Sequence, residues 1–218
     1  MDIISELNGK RILIWGYGRE GKATEHFLQR CVKPASVDIF EGKKEEIDED
    51  DYDFIIKSPG IVMNEENPKY TSETELFLQQ FRDQVIGITG TKGKSTTSAM
   101  LYTVLKACSG RPVLLLGNIG QPCLDYFEEV TEDTIIVYEM SCHQLAHTNV
   151  SPHIAIFLNL YEEHLDYYGT VEKYFEAKSH IAAYQKSGDY FFVGENVPQI
   201  DTKAQRLSLI HISEPTRP

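Results

Sequence analysis

The segment Ile86-Gly87-Ile88-Thr89-Gly90-Thr91-Lys92-Gly93-Lys94-Ser95-Thr96-Thr97 carries the clearest chemistry in the chain. An apolar run leads into glycines and then into a helical pattern, the layout of a phosphate-binding loop. Successive backbone N–H groups from Gly90, Thr91, Lys92, Gly93, Lys94, Ser95 and Thr96 can cradle an anion. The Lys94 ammonium can reach the β- and γ-phosphates of ATP, and the Ser95 hydroxyl can ligate Mg²⁺. The strict form of the motif has a glycine where this chain has Ile88, and Gly90 comes two residues later. Such a loop binds ATP without naming a reaction, since kinases, ATPases and ligases all use one.

A second glycine turn lies about 75 residues earlier. Gly16-Tyr17-Gly18-Arg19-Glu20-Gly21 follows the apolar run Arg11–Trp15 and precedes a helical pattern. Gly16 and Gly18 suit a tight turn that brings N–H groups close to a pyrophosphate. Asp38 and Glu41 lie near the place where a nicotinamide cofactor would need an acid, so that cofactor is an alternative. Glu20 is awkward beside a diphosphate unless its side chain turns away.

Two further strand ends carry polar side chains. Glu139, closing an apolar run, is a candidate Mg²⁺ ligand, and Ser141 and Gln144 in the next loop could hydrogen-bond a substrate. His164 follows another run and could bind metal through a neutral imidazole nitrogen, with Asp166 behind it. His143 has no assigned role.

These groups need a scaffold that gathers strand ends. Strands are expected at Arg11–Trp15, Ser36–Phe40, Asp53–Ile56, Val85–Thr89, Pro112–Leu116, Thr134–Tyr138, Ile154–Leu158 and Tyr190–Val193. Helices are expected at Glu20–Arg30, Glu73–Phe81, Lys94–Cys108 and Val171–Tyr184. The alternation predicts an α/β fold: a Rossmann-like N-terminal domain over residues 1–82, then a P-loop α/β domain over 83–202. Residues 203–218 break the rhythm and read as a non-native or disordered tail; SLIHISEPTRP resembles a recurrent translated adaptor sequence.

Composition narrows the field. The 218 residues carry a formal charge of −12, which disfavours general nucleic-acid binding. Half of that charge lies in Glu41–Asp53, read as a solvated loop. No apolar run reaches the ~18 residues of a membrane span, and Met1–Lys10 lacks a signal-peptide pattern. The cysteines at 31, 108, 123 and 142 show no zinc spacing and suit a reduced, cytoplasmic protein.

The motifs ITGTKGKSTT, GNIG (Gly117–Gly120), YEMSCHQL (Tyr138–Leu145), LNLYEEHLDYYG (Leu158–Gly169) and YFEAKSHI (Tyr174–Ile181) together resemble the Mur ligase family over roughly residues 8–195. The resemblance is nearest the D-glutamate-adding branch, on Lys57-Ser58-Pro59-Gly60-Ile61 and the E-M-S-x-x-Q-L pattern. It implies an ATP-dependent amide ligase of peptidoglycan precursor synthesis, in which a substrate carboxylate becomes an acyl phosphate and an amine displaces phosphate. Its substrates would be UDP-N-acetylmuramoyl-L-alanine and D-glutamate, and the protein a monomer.

By resemblance, Lys178 is a carbamylated lysine that shares one Mg²⁺ with His164, while Glu139 and Ser95 serve another. Asn118 would position the substrate carboxylate or phosphates. The uridine diphosphate would sit on Gly16–Gly21 with Ser58, Pro59 and Gly60 nearby, although Arg19 and Glu20 depart from the small or apolar residues usual there. The resemblance also implies that the C-terminal domain is absent and the chain inactive alone. Alternatives are a noncatalytic nucleotide- or UDP-sugar-binding module and another Mur ligase, such as the L-alanine-adding enzyme.

Overall fold

The structure, a computed structural model, describes residues 2–61 and 67–209. They form two compact units. One holds the described residues within 1–80 together with Pro122–Thr131; the other holds those within 81–121 and 132–218.

In the first unit, helix α1 (Ile3–Leu7) is capped by Asp2, whose side chain accepts from the Ile4 N–H. Strand β1 (Arg11–Trp15) leads into α2 (Arg19–Cys31), followed by β2 (Ser36–Phe40), β3 (Phe54–Lys57), β4 (Tyr70–Thr71) and α3 (Glu73–Phe81). The four strands make a parallel sheet in the order β2-β1-β3-β4. Helix α2 buries Ala23, Phe27 and Leu28, the apolar stripe visible in its sequence. Leu13, Trp15 and Ile55 centre a core joined by Phe40, Ile47, Tyr52, Ile61 and Tyr70. The acidic stretch after β2 forms two short 3₁₀ turns that bury no residue.

The inclusion of Pro122–Thr131 differs from the expected division at residue 82. Its 3₁₀ turn Cys123–Glu129 buries Leu124 and Phe127, and Phe127 packs on Phe27 with ring centroids 4.7 Å apart. Apolar packing thus assigns the segment to the first unit against its place in the chain.

The second unit contains β5 (Val85–Thr89), α4 (Lys94–Cys108), β6 (Val113–Gly117), β7 (Ile135–Glu139), α5 (Cys142–Leu145), β8 (Ile154–Phe157), α6 (Leu165–Tyr168), α7 (Val171–Ala183), β9 (Tyr190–Val193) and β10 (Gln205–Ser208). Its six strands form a parallel sheet ordered β10-β9-β8-β5-β7-β6. Central β5 lies between β7 and β8, where the winding changes direction and ligands gather at strand C-termini.

Strand β10 falls inside the segment expected to be a tail. Gln205–Ser208 pairs with Tyr190–Val193 in register, so residues 205–208 extend the sheet. The signal is weak because QRLS is too polar to read as a buried strand, and an edge position tolerates that polarity. Residues 210–218, the rest of that segment, lie outside the described residues. All four cysteines are free. Among the described residues no helix is long and apolar enough to cross a membrane.

Candidate active site

The loop after β5 enters α4 through Gly93, whose φ of +82° is left-handed and favours glycine. The first N–H groups of a helix have no intrahelical acceptor, so those of Lys94, Ser95 and Thr96 suit an anion. Ser95 is exposed in this first turn. The Lys94 ammonium folds back to donate to the Gly90 carbonyl at 2.9 Å and the Thr91 carbonyl at 3.1 Å.

Two expected donors are already engaged. The Thr91 N–H donates to the Asn159 carbonyl at 3.0 Å, and the Lys92 N–H to Asn159 Oδ1 at 2.9 Å. The Thr91 and Lys92 N–H groups are thus satisfied within the protein. Asn159, which follows β8, was not assigned to the site from sequence.

Glu139 ends β7 beside Ile88 of β5 and Gly117 of β6. Its side chain is fully buried. Gly117, at φ +97°, lets the chain turn back over this strand end. Asn118 then donates its backbone N–H to the Glu139 carbonyl at 3.0 Å and its Nδ2 to Glu139 Oε1 at 2.8 Å. Oε2 is buried without a hydrogen-bond partner. Leaving such an oxygen unpaired costs about 1–3 kcal/mol, so a cation fits there.

Lys178 lies on the buried face of α7, with Tyr174, Ala177, Ile181 and Ala182. Its Nζ donates to the Gly90 carbonyl at 3.0 Å and Thr89 Oγ1 at 3.2 Å, and sits 5.0 Å from the Tyr174 ring centroid. Burial pushes its amine down to about 8, and the like charge of Lys94 acts in the same direction.

His164 caps α6 with φ +56°, the one described non-glycine residue in the left-handed region. Its half-exposed ring meets His143 edge-on at 5.5 Å between centroids. His143 also packs against Tyr167 and stacks on Tyr168. Glu163 pairs with Lys92 at 2.6 Å, and that bond lowers its carboxyl pKa.

Ser141 and Gln144 form a capping box: Ser141 Oγ accepts from the Gln144 N–H at 3.2 Å, and Gln144 Oε1 from the Ser141 N–H at 2.9 Å. Their visible task is to start α5. Among the described residues no three His, Cys, Asp or Glu side chains gather as a metal cage. The donor set still fits Mg²⁺, which commonly takes one or two carboxylates with phosphate oxygens and waters.

The first unit carries the other loop. Gly16 has φ +90°, and Ser58 Oγ donates to its carbonyl at 2.9 Å. A Cβ on Gly16 would lie 2.7 Å from that hydroxyl, and one on Gly21 would strike the Gly16 carbonyl oxygen. Gly18 is the open N-cap of α2, and Arg19 is exposed. Pro59 and Gly60 turn the chain after β3.

Glu20 turns inward to line a narrow crevice with Thr24, Ile56, Lys57, Ser58 and Glu73. Burial pushes the Lys57 amine down to about 8 and the Glu73 carboxyl well up. The sequence marked Lys57 only within the Lys57–Ile61 segment and gave Glu73 no role, because charged residues at element ends normally face water.

The description "Mur ligase middle domain" matches residues 88–214. A UDP-N-acetylmuramoylalanine–D-glutamate ligase of Clostridium kluyveri is 35% identical over 177 residues, covering 78% of this chain and 38% of the relative. The Streptococcus pyogenes serotype M49 protein of the same name is 33% identical over 227 residues, covering 90% of this chain and 50% of the relative. The chain thus spans half or less of the length of these curated relatives. Among solved structures, the UDP-N-acetylmuramate:L-alanyl-gamma-D-glutamyl-meso-diaminopimelate ligase of Neisseria meningitides matches with a TM-score of 0.56 at 16% identity. That alignment covers 91% of this chain and 77% of the other, a likeness of fold.

Proposed function

The chain belongs to the Mur ligase family, and from that premise we propose that it serves the ATP-dependent joining of D-glutamate to UDP-N-acetylmuramoyl-L-alanine in peptidoglycan precursor synthesis. The observation that carries this reading is the convergence of Lys94, Lys178 and the unpaired Glu139 oxygen around the end of β5. Phosphoryl transfer from ATP to a carboxylate needs positioning and charge neutralisation more than covalent help from the protein.

In this reading the amides from Gly93 to Thr96 receive the phosphates. Lys94 leaves the Gly90 and Thr91 carbonyls to follow the transferring group. The acceptor carboxylate oxygen attacks the γ-phosphorus and ADP leaves. The D-glutamate amine then attacks the acyl carbon, phosphate departs with the carbonyl–oxygen bond, and the amine loses a proton. Mg²⁺ would supply charge neutralisation when bound, with His164 and carbamylated Lys178 holding one ion and Glu139 and Ser95 serving another. Asn118 keeps Glu139 aligned. Gly16, Gly18 and the Ser58–Gly60 turn receive the uridine diphosphate, with Arg19 beside it.

Backbone amide spectra of the chain test the substrate. Titration with UDP-N-acetylmuramoyl-L-alanine is expected to shift Gly16, Gly18 and Ser58, with UDP competing. A response to NADH in its place would overturn the reading.

A further inference from the structure

Asn159, the residue after Leu158 at the end of β8, holds the phosphate loop from one side. Its Oδ1 accepts from the Lys92 N–H at 2.9 Å, and its Nδ2 donates to the Lys92 carbonyl at 3.0 Å. One side-chain amide thus occupies both hydrogen-bonding groups of a single loop residue, as a neighbouring strand would. Its own carbonyl takes the Thr91 N–H at 3.0 Å. The next turn continues the attachment, since the Tyr161 N–H donates to Thr91 Oγ1 at 2.9 Å.

This arrangement has a chemical consequence. A loop N–H that turned freely would compete for phosphate in several orientations. With Thr91 and Lys92 tied down, the chain is fixed immediately before Gly93, the left-handed residue that aims the first turn of α4. Preorganised donors lose less on binding than mobile ones.

Resting on the reading of this loop as the nucleotide phosphate site, we propose that Asn159 is a positioning residue. It sets the Thr91–Lys92 peptides so that the phosphate seat begins at Gly93, and it makes no phosphate contact of its own. The amide is required because a carboxylate cannot donate to the Lys92 carbonyl and an aliphatic side chain can make neither bond.

The test compares the chain with Asn159→Leu. Loss of two neutral hydrogen bonds should weaken MgADP about tenfold or more. At saturating MgADP, the β-phosphorus NMR resonance should move toward its free position. Circular dichroism and the UDP-N-acetylmuramoyl-L-alanine response should not change. Equal MgADP affinity and an unmoved β-phosphorus resonance in a folded variant would overturn the proposal alone. An unmodified chain that binds no MgADP would overturn the nucleotide reading and this proposal with it. Should Asn159→Leu fail to fold, hydrogen exchange at the Lys92 amide of the unmodified chain decides. Protection supports the bond to Asn159, and exchange at the rate of an open amide overturns it.

Discussion

Lys94 and Lys178 donate to the same oxygen, the Gly90 carbonyl, at 2.9 and 3.0 Å. Lys94 comes from the first turn of α4 and Lys178 from the middle of α7. One carbonyl cannot satisfy two ammonium groups as an anion would. The pair therefore favours phosphate at the loop and a neutral amine at the more buried lysine.

Lys178 should be unusually reactive toward CO₂. Burial brings its amine to about 8, so about half is neutral near pH 8, against well under 1% for an ordinary lysine of pKa about 10.4. The neutral amine is the reactive form, and carbamate formation should therefore rise with pH through about 8. Carbon-13 bicarbonate should give a carbamate NMR signal that Lys178→Ala removes. No signal, or one that survives the substitution, would count against this.

Glu139→Gln should separate stability from metal binding. The substitution keeps the oxygen that accepts from Asn118 and removes a buried charge with no second partner. A gain of about 1 kcal/mol would raise the melting temperature by roughly 2–4 °C. Mg²⁺ should then no longer strengthen ADP binding. Unchanged Mg²⁺ dependence in calorimetry would remove Glu139 from the metal site.

The strands and the phosphate loop were legible because both are local patterns. Val85–Thr89 and Lys94–Cys108 fall where periodicity and the glycines put them. Lys178 was legible only by resemblance, since a helix lysine read alone is expected to face water, whereas it lies on the buried face with Tyr174, Ile181 and Ala182. Asn159 was hidden because its partners lie 67 residues away on the loop. The same holds for Glu73, an acid at a helix start that ordinarily faces water but here takes the Leu124 N–H at 3.0 Å. Pro122–Thr131 joined the first unit through packing that no local pattern encodes.

Glu73 should make the first unit sensitive to pH. Burial raises its carboxyl well above 4.5, the Glu20 carboxylate adds to the rise, and the Leu124 N–H opposes it. Cys123 also touches Glu73, and Lys57 lines the same crevice. The folded unit thus keeps a proton that the unfolded chain releases. That stability is complete below about pH 4.5 and is lost as pH rises toward the folded-state value. Glu73→Gln, which carries a permanent donor, should flatten the fall of melting temperature as pH rises above about 4.5. An unchanged slope would show that Glu73 does not titrate there.

Calorimetric titration of MgATP into the chain and into Lys94→Ala tests the central claim most directly. The account predicts one site in the chain, sensitive to Mg²⁺ removal by EDTA. It predicts affinity about ten- to a hundredfold weaker in Lys94→Ala, the worth of a charge-assisted contact to phosphate. Equal binding by both proteins, or no binding by either, would contradict it.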